Sequence, residues 1–135
     1  MISLPRSIRD QIVRQAETEL PNECCGYLAG TRSDAEVTVS KRIPMTNVDA
    51  SPEHFSFDPK EQFAAVRAAR TEGLELVANY HSHPETPARM SGKDTRLAND
   101  TSIVYLICSV ADATLKAFTV DGSRAVTEER IVVTE

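Results

Sequence analysis

The sequence lacks the marks of several large classes of protein. It has only three cysteines, Cys24, Cys25 and Cys108, and no CxxC spacing among them. An odd number of thiols, two of them adjacent, builds no disulfide framework and points to a reducing compartment. The longest wholly apolar run is the six residues from Ile103 to Cys108. A helix that crosses a bilayer needs about 20. The opening residues, MISLPRSIRD, hold no apolar run of the kind a signal peptide carries, so cytoplasm is the expected location. There is no internal repeat, no low-complexity tract and no long linker. Positive charge is not in excess: Lys+Arg is 15 against 20 for Asp+Glu, a net charge of −5. Neither nucleic acid nor an anionic membrane is therefore an expected partner. At 135 residues the chain is too short for an eight-stranded (β/α) barrel or a two-domain enzyme.

What remains is a composition of 41% hydrophobic and 26% charged residues, that of one soluble globular domain spanning 1–135. Leu4, Ile8, Ile12, Ala16 and Leu20 recur every four residues and predict a first helix, which Pro21 stops. Cys25 to Gly30 reads as a buried strand and Glu36 to Ser40 as an alternating one. His54-Phe55-Ser56-Phe57 predicts a short strand. Asp58 is placed to cap a second helix, with Pro59 in its first turn, Glu61 completing a capping box and Gly73 ending it. Leu74 to Tyr80 is a strand that runs straight into His81-Ser82-His83-Pro84. A short helix follows from Ser91 to about Asp100. Ile103–Val110, Thr114–Val120 and Ala125–Val133 predict three more strands, the last two joined at Asp121-Gly122. This order gives an α/β or α+β sheet covered by a few helices.

The chemistry concentrates after the central strand. Residues i and i+2 of a strand share a face, so His81 and His83 can present two imidazoles to one point. Pro84 ends the ladder there. Glu85 to Met90, which includes a second proline, returns the chain to a helix near Ser91, and Asp94 lies in that helix's first turn. Two imidazoles and a carboxylate suit Zn²⁺ and leave a fourth position for water. Each part also has a plainer reading. A His-x-His on a strand can be a surface pair, and Ser91-x-x-Asp94 can be no more than a helix capping box. Glu23 sits at the mouth of the apolar strand Cys25–Ala29, either at the edge of a site or as a solvated loop carboxylate. Cys24 reads as a site-adjacent or packing residue, and Cys25 and Cys108 as small core hydrophobes.

Pro21-Asn22-Glu23-Cys24-Cys25-Gly26, then His81-Ser82-His83-Pro84, then six residues and Ser91-Gly92-Lys93-Asp94, together resemble the JAMM motif. This is the zinc-metalloprotease form of the MPN domain, the Mov34/MPN/PAD-1 family. The resemblance extends from about Met1 to Val120, and every active-site position of the motif is filled. It implies a mixed, curved β-sheet flanked by two to three helices, similar to the cytidine-deaminase-like sandwich. It implies one Zn²⁺ per chain, with a bound water, on His81, His83 and Asp94. It implies Glu23 as the residue that activates the water and Ser91 as the one that stabilises the oxyanion. The implied activity is hydrolysis of a peptide or isopeptide bond after the C-terminal Gly-Gly of a ubiquitin-like or sulfur-carrier protein. Both monomers and homodimers occur in the family.

Two other readings compete. A zinc deaminase needs His-x-Glu and Pro-Cys-x-x-Cys, and both are missing. A non-catalytic MPN-type binding module needs no complete set of ligands, and here the set is complete.

Overall fold

The four-residue apolar repeat at the N-terminus belongs to two elements, not one. A computed structural model describes residues 1–135. In it Ile2–Pro5 form a strand, β1, and the first helix, α1, runs only from Arg6 to Thr18. Ile2 and Leu4 alternate inward from the strand, whereas Ile8, Ile12 and Ala16 face inward from the helix. Pro5 permits the switch because its fixed φ suits both a strand end and a helix start. The chain continues as β2 (Cys25–Ser33), β3 (Glu36–Met45), α2 (Pro59–Thr71), β4 (Glu75–His83), α3 (Gly92–Leu97), β5 (Val104–Ser109), β6 (Thr114–Val120), β7 (Val126–Glu129) and β8 (Ile131–Thr134).

The strands form one mixed sheet in the order β7-β6-β5-β4-β2-β3-β1-β8. Strand β4 pairs antiparallel with β2 and parallel with β5. The stretch expected as a single last strand is broken at Arg130, and its halves lie at opposite edges: β7 pairs with β6, and β8 pairs parallel with β1. One residue reaches only a few ångströms. Two edges joined through Arg130 must therefore approach each other, so the sheet curls until it is nearly closed. The Arg130 carbonyl accepts the Ile2 amide at 2.9 Å, which pins the junction.

Helix α1 packs on one face. There Ile8, Ile12 and Ala16 join Ile2, Leu4, Leu28, Val37, Tyr80 and Leu106 in a core of 16 buried residues. The Tyr80 hydroxyl donates to Gln15 of α1 at 2.5 Å. The even-numbered residues Tyr80 and Ser82 of β4 thus point towards α1, and Asn79, His81 and His83 point to the opposite face. Helix α2 covers that opposite face through Ala65, beside Cys25 and Met45.

Local details depart from expectation in three places. His54–Phe57 is a loop with a single bridge, Asn47 to Phe57. Asp58 caps α2 by accepting the Lys60 amide at 2.9 Å, but Glu61 is used elsewhere: it accepts the Thr46 amide and hydroxyl at 2.8 and 2.9 Å and ties down the loop after β3. The turn between β6 and β7 is longer than a two-residue hairpin, and Arg124, at φ 69°, takes the left-handed position within it. Gly73, at φ 72°, closes α2 as expected.

Strand β2 shifts register against β3 between Ala29 and Gly30. A Cβ at Gly30 would lie 1.9 Å from the Thr38 carbonyl oxygen, a backbone atom that cannot rotate away. Gly30→Ala is expected to lower unfolding stability by about 1–3 kcal/mol or more, read from urea denaturation.

Candidate metal centre and active site

Strand β4 ends in His81 and His83, and the following loop bends back through Pro84 and Pro87 to α3. The side chains of His81, His83 and Asp94 converge, with their donor atoms within 4.8 Å of one another. His81 Nε2 is 3.2 Å from His83 Nε2. Asp94 lies across both, its Oδ1 3.3 Å from His81 Nε2 and its Oδ2 3.1 Å from His83 Nε2. Both imidazoles are buried, and Asp94 is nearly so.

These residues fit a cation. His83 Nδ1 lies 2.8 Å from the Pro87 carbonyl. A carbonyl only accepts, so Nδ1 carries a proton; Nε2 is then a lone-pair donor in the neutral ring that binds a metal, and an N–H donor to Asp94 in the protonated ring of the metal-free protein. A tetrahedral zinc with ligands at about 2.0–2.1 Å spaces its donors roughly 3.3 Å apart. The imidazole nitrogens, 3.2 Å apart, match that edge, and Asp94 turns Oδ1 to one of them at 3.3 Å and Oδ2 to the other at 3.1 Å. The group can hold a metal ion.

The capping reading of Ser91-x-x-Asp94 is realised, and the same Asp94 carboxylate also faces the two histidines. Ser91 caps α3: its Oγ accepts the Asp94 amide at 3.0 Å, and Asp94 Oδ2 accepts the Ser91 amide at 3.1 Å. The capping box aims the carboxylate at the histidines. It also leaves the Ser91 O–H proton free for another acceptor. Burial pushes the Asp94 pKa up, but hydrogen bonds from His81, His83 and the Ser91 amide hold it far below the usual carboxylate range. Burial disfavours charging His83, yet its bonds to Asp94 and the Pro87 carbonyl outweigh this and raise its pKa.

Glu23 reaches the same place from far upstream. Cys25 pairs with His81 across the antiparallel β2–β4 ladder. Glu23 lies two residues before β2 begins, and continuing the same register two residues along β4 sets it opposite His83. The join is tight: Ser82 donates its amide to the Cys24 carbonyl at 3.1 Å, and the Cys24 amide donates to Ser82 Oγ at 2.7 Å. The Glu23 backbone is held by the Ser51 carbonyl, 2.8 Å from its amide, and by Asn47 Nδ2, 3.1 Å from its carbonyl. Its side chain is 3% exposed, and Oε1 has no hydrogen-bond partner in the protein. Burial raises its pKa to about 8, His83 opposing and Asp94 assisting.

The alternation of Phe55 and Phe57 allows one face to pack and the other to border a substrate groove, and both rings lie beside the site. Phe55 stacks on the His81 ring, with centroids 4.7 Å apart and planes at 28°. Phe57 stacks on Tyr27 at 4.7 Å. Asn47 holds the loop that carries these aromatics, donating to the His54 carbonyl and accepting from Asp49 and Ser56. Beside His81 and Asp94 opens a groove of about 580 Å³. Cys24, next to Glu23, is fully buried and its thiol pKa is pushed up to about 12 by desolvation, so it is no nucleophile at neutral pH. Cys108 is likewise pushed up, to about 11.

A nearly closed mixed sheet with two strand-end histidines and a helix-capping aspartate defines an α+β domain with a group that can hold a metal ion. Residues 5–121 match the model of the prokaryotic homologues of the JAB domain. The chain belongs to this family, the small prokaryotic branch of the JAMM/MPN proteins. It is 39% identical over 113 residues to a desampylase from Haloferax volcanii, covering 80% of each chain. It is 36% identical over 128 residues to the CysO-cysteine peptidase of Mycobacterium tuberculosis, covering 92% of this chain and 85% of that one. Among solved structures, a protein from Desulfitobacterium hafniense superimposes with a TM-score of 0.92 at 43% identity, covering 100% of this chain and 94% of that one. A JAB1/MPN domain protein from Archaeoglobus fulgidus shares the fold, with a TM-score of 0.63 at 20% identity over 99% of this chain and 98% of that one. No helix here is long and apolar enough to cross a membrane.

The raised pKa of Glu23 has a consequence for folding. Its carboxyl titrates near 4.5 when unfolded and near 8 when folded, so between those values the folded state binds more protons. Stability of the metal-free protein then falls as pH rises through this window, by up to a few kcal/mol. Thermal unfolding of metal-free Glu23→Gln is expected to show a flatter pH dependence from pH 4.5 to 8, with the largest gain over wild type at the upper end.

Proposed function

We propose that this protein is a zinc-dependent peptidase or isopeptidase. It cleaves the bond after the C-terminal Gly-Gly of a ubiquitin-like or sulfur-carrier protein. One observation carries the reading: a buried carboxylate with a free oxygen stands opposite three converging metal donors. A structural metal site needs no such group, whereas hydrolysis needs a base. The names of the relatives, a desampylase and a CysO-cysteine peptidase, agree in substrate class.

In this reading His81, His83 and Asp94 hold the metal and Glu23 and Ser91 do the chemistry. Zinc bound there supplies a Lewis acid and lowers the pKa of a water to about 7. Glu23 Oε1 takes the proton of the attacking water. A pKa displaced towards neutrality lets the same carboxyl hold that proton and then give it to the leaving amine. The Ser91 hydroxyl, whose lone pair is engaged by the Asp94 amide, donates its own proton to the carbonyl oxygen as negative charge develops. The Pro87 carbonyl keeps the His83 ring in the required tautomer. Phe55, flat against His81, restricts water on one side of the site.

Incubating the zinc-loaded protein with a carrier conjugated through a Gly-Gly end should release the free carrier, detected by mass spectrometry. Glu23→Gln should keep zinc at wild-type stoichiometry and lower turnover roughly 10²–10⁴-fold. Ser91→Ala should lower it roughly 10²–10³-fold. Undiminished turnover in Glu23→Gln removes that residue from the role of base. No cleavage by the zinc-loaded wild type removes the reading.

A further inference from the structure

The groove beside His81 is lined by a buried carboxamide, Asn79, whose oxygen has no partner. On β4, Asn79 lies two residues before His81 and projects to the same face. It pairs with Tyr27 of β2 on one side and Tyr105 of β5 on the other, so the three side chains form a row across the groove floor. Both tyrosines are engaged: Tyr27 accepts from Gln62 Nε2 at 3.0 Å, and Tyr105 donates to the Asp100 carbonyl at 2.8 Å. Asn79 is 9% exposed, and its Oδ1 is buried without a partner. A buried carboxamide left unbonded lowers stability and is rarely tolerated without a use.

A carboxamide offers one acceptor beside a donor, and so matches the N–H and C=O of a peptide unit. We propose that Asn79 is a substrate-binding, specificity-determining residue that pairs through both head-group atoms with one backbone amide of the extended carrier tail. The inference rests on the peptidase reading and adds where the tail lies. Residues i and i+2 of a strand are roughly 6.6 Å apart, and an extended tail spans that distance in about two residues. The amide that Asn79 meets is therefore about two residues from the scissile bond, within or next to the Gly-Gly unit. There the absence of a side chain lets backbone approach the aromatic floor.

Asn79→Leu keeps the volume and removes both polar groups, with Asn79→Ala as a second variant. Each is compared with wild type on carrier conjugates in which the tail amides are replaced by esters one at a time. The expected result is a KM raised roughly ten-fold or more with kcat within about two-fold, because two hydrogen bonds to a buried group are lost. One ester position should weaken wild type similarly and add nothing in Asn79→Leu. Equilibrium binding of the cleaved, Gly-Gly-ended carrier to metal-free protein should weaken by a like factor. Thermal unfolding should show Asn79→Leu at least as stable as wild type. If wild type cleaves and KM is unchanged in both variants, or if every ester effect is additive with the substitution, the proposal is overturned while the peptidase reading stands. A wild type that binds the cleaved carrier but cleaves no conjugate overturns the peptidase reading, and the binding comparison then decides for or against Asn79. A wild type that does neither overturns both.

Discussion

The antiparallel pairing of β2 with β4 is the constraint on which the site depends. Cys25 faces His81, Cys24 and Ser82 exchange two hydrogen bonds, and Glu23 thereby stands across from His83. A slip of one residue would turn Glu23 to the α1 side and exchange the histidines for Tyr80 and Ser82. The register is held by burial on both faces. Tyr80 fills the α1 face beneath Gly26, where even a Cβ would lie 2.3 Å from its ring. Cys25 and Met45 pack beneath α2 on the other.

The same face gathers the unsatisfied polar groups of the fold. Three buried side-chain atoms lack a hydrogen-bond partner in the protein: Glu23 Oε1, Asn79 Oδ1 and His81 Nδ1. All three belong to the site or its groove. Each costs about 1–3 kcal/mol in a folded protein, and the core packed between α1 and the sheet offsets that cost. Rigidity comes from local devices. The capping box of α3 orients Asp94, the Pro87 carbonyl fixes the His83 ring, and Asn47 fastens the aromatic loop to the Glu23 backbone.

How much could be read from the sequence follows from how far apart in the chain the interacting residues lie. His81, His83 and Asp94 were legible because one strand end, one short loop and one helix start bring them together. Glu23 was legible only through its motif, since its meeting with His83 rests on a ladder between segments some 58 residues apart. Phe55 showed only an alternation with Phe57 that packing alone would also explain, and Asn79 carries no pattern at all; their places beside His81 follow from what pairs and stacks there. The edges were misread for a related reason. Leu4 keeps the period of α1 while lying on β1, and the stretch from Ala125 to Val133, which has no Gly or Pro to mark a break, crosses at Arg130 from one sheet edge to the other. Glu61 fits a capping box by spacing, but the nearby Thr46 amide and hydroxyl claim its carboxylate.

The convergence of His81, His83 and Asp94 on one ion is tested most directly by X-ray absorption at the zinc edge of the loaded protein. Two imidazole nitrogens and light oxygen donors at about 2.0–2.1 Å are expected, with the histidine signature halved in His83→Ala. A sulfur shell at about 2.3 Å, or a spectrum unchanged by His83→Ala, would place the metal elsewhere and contradict the site.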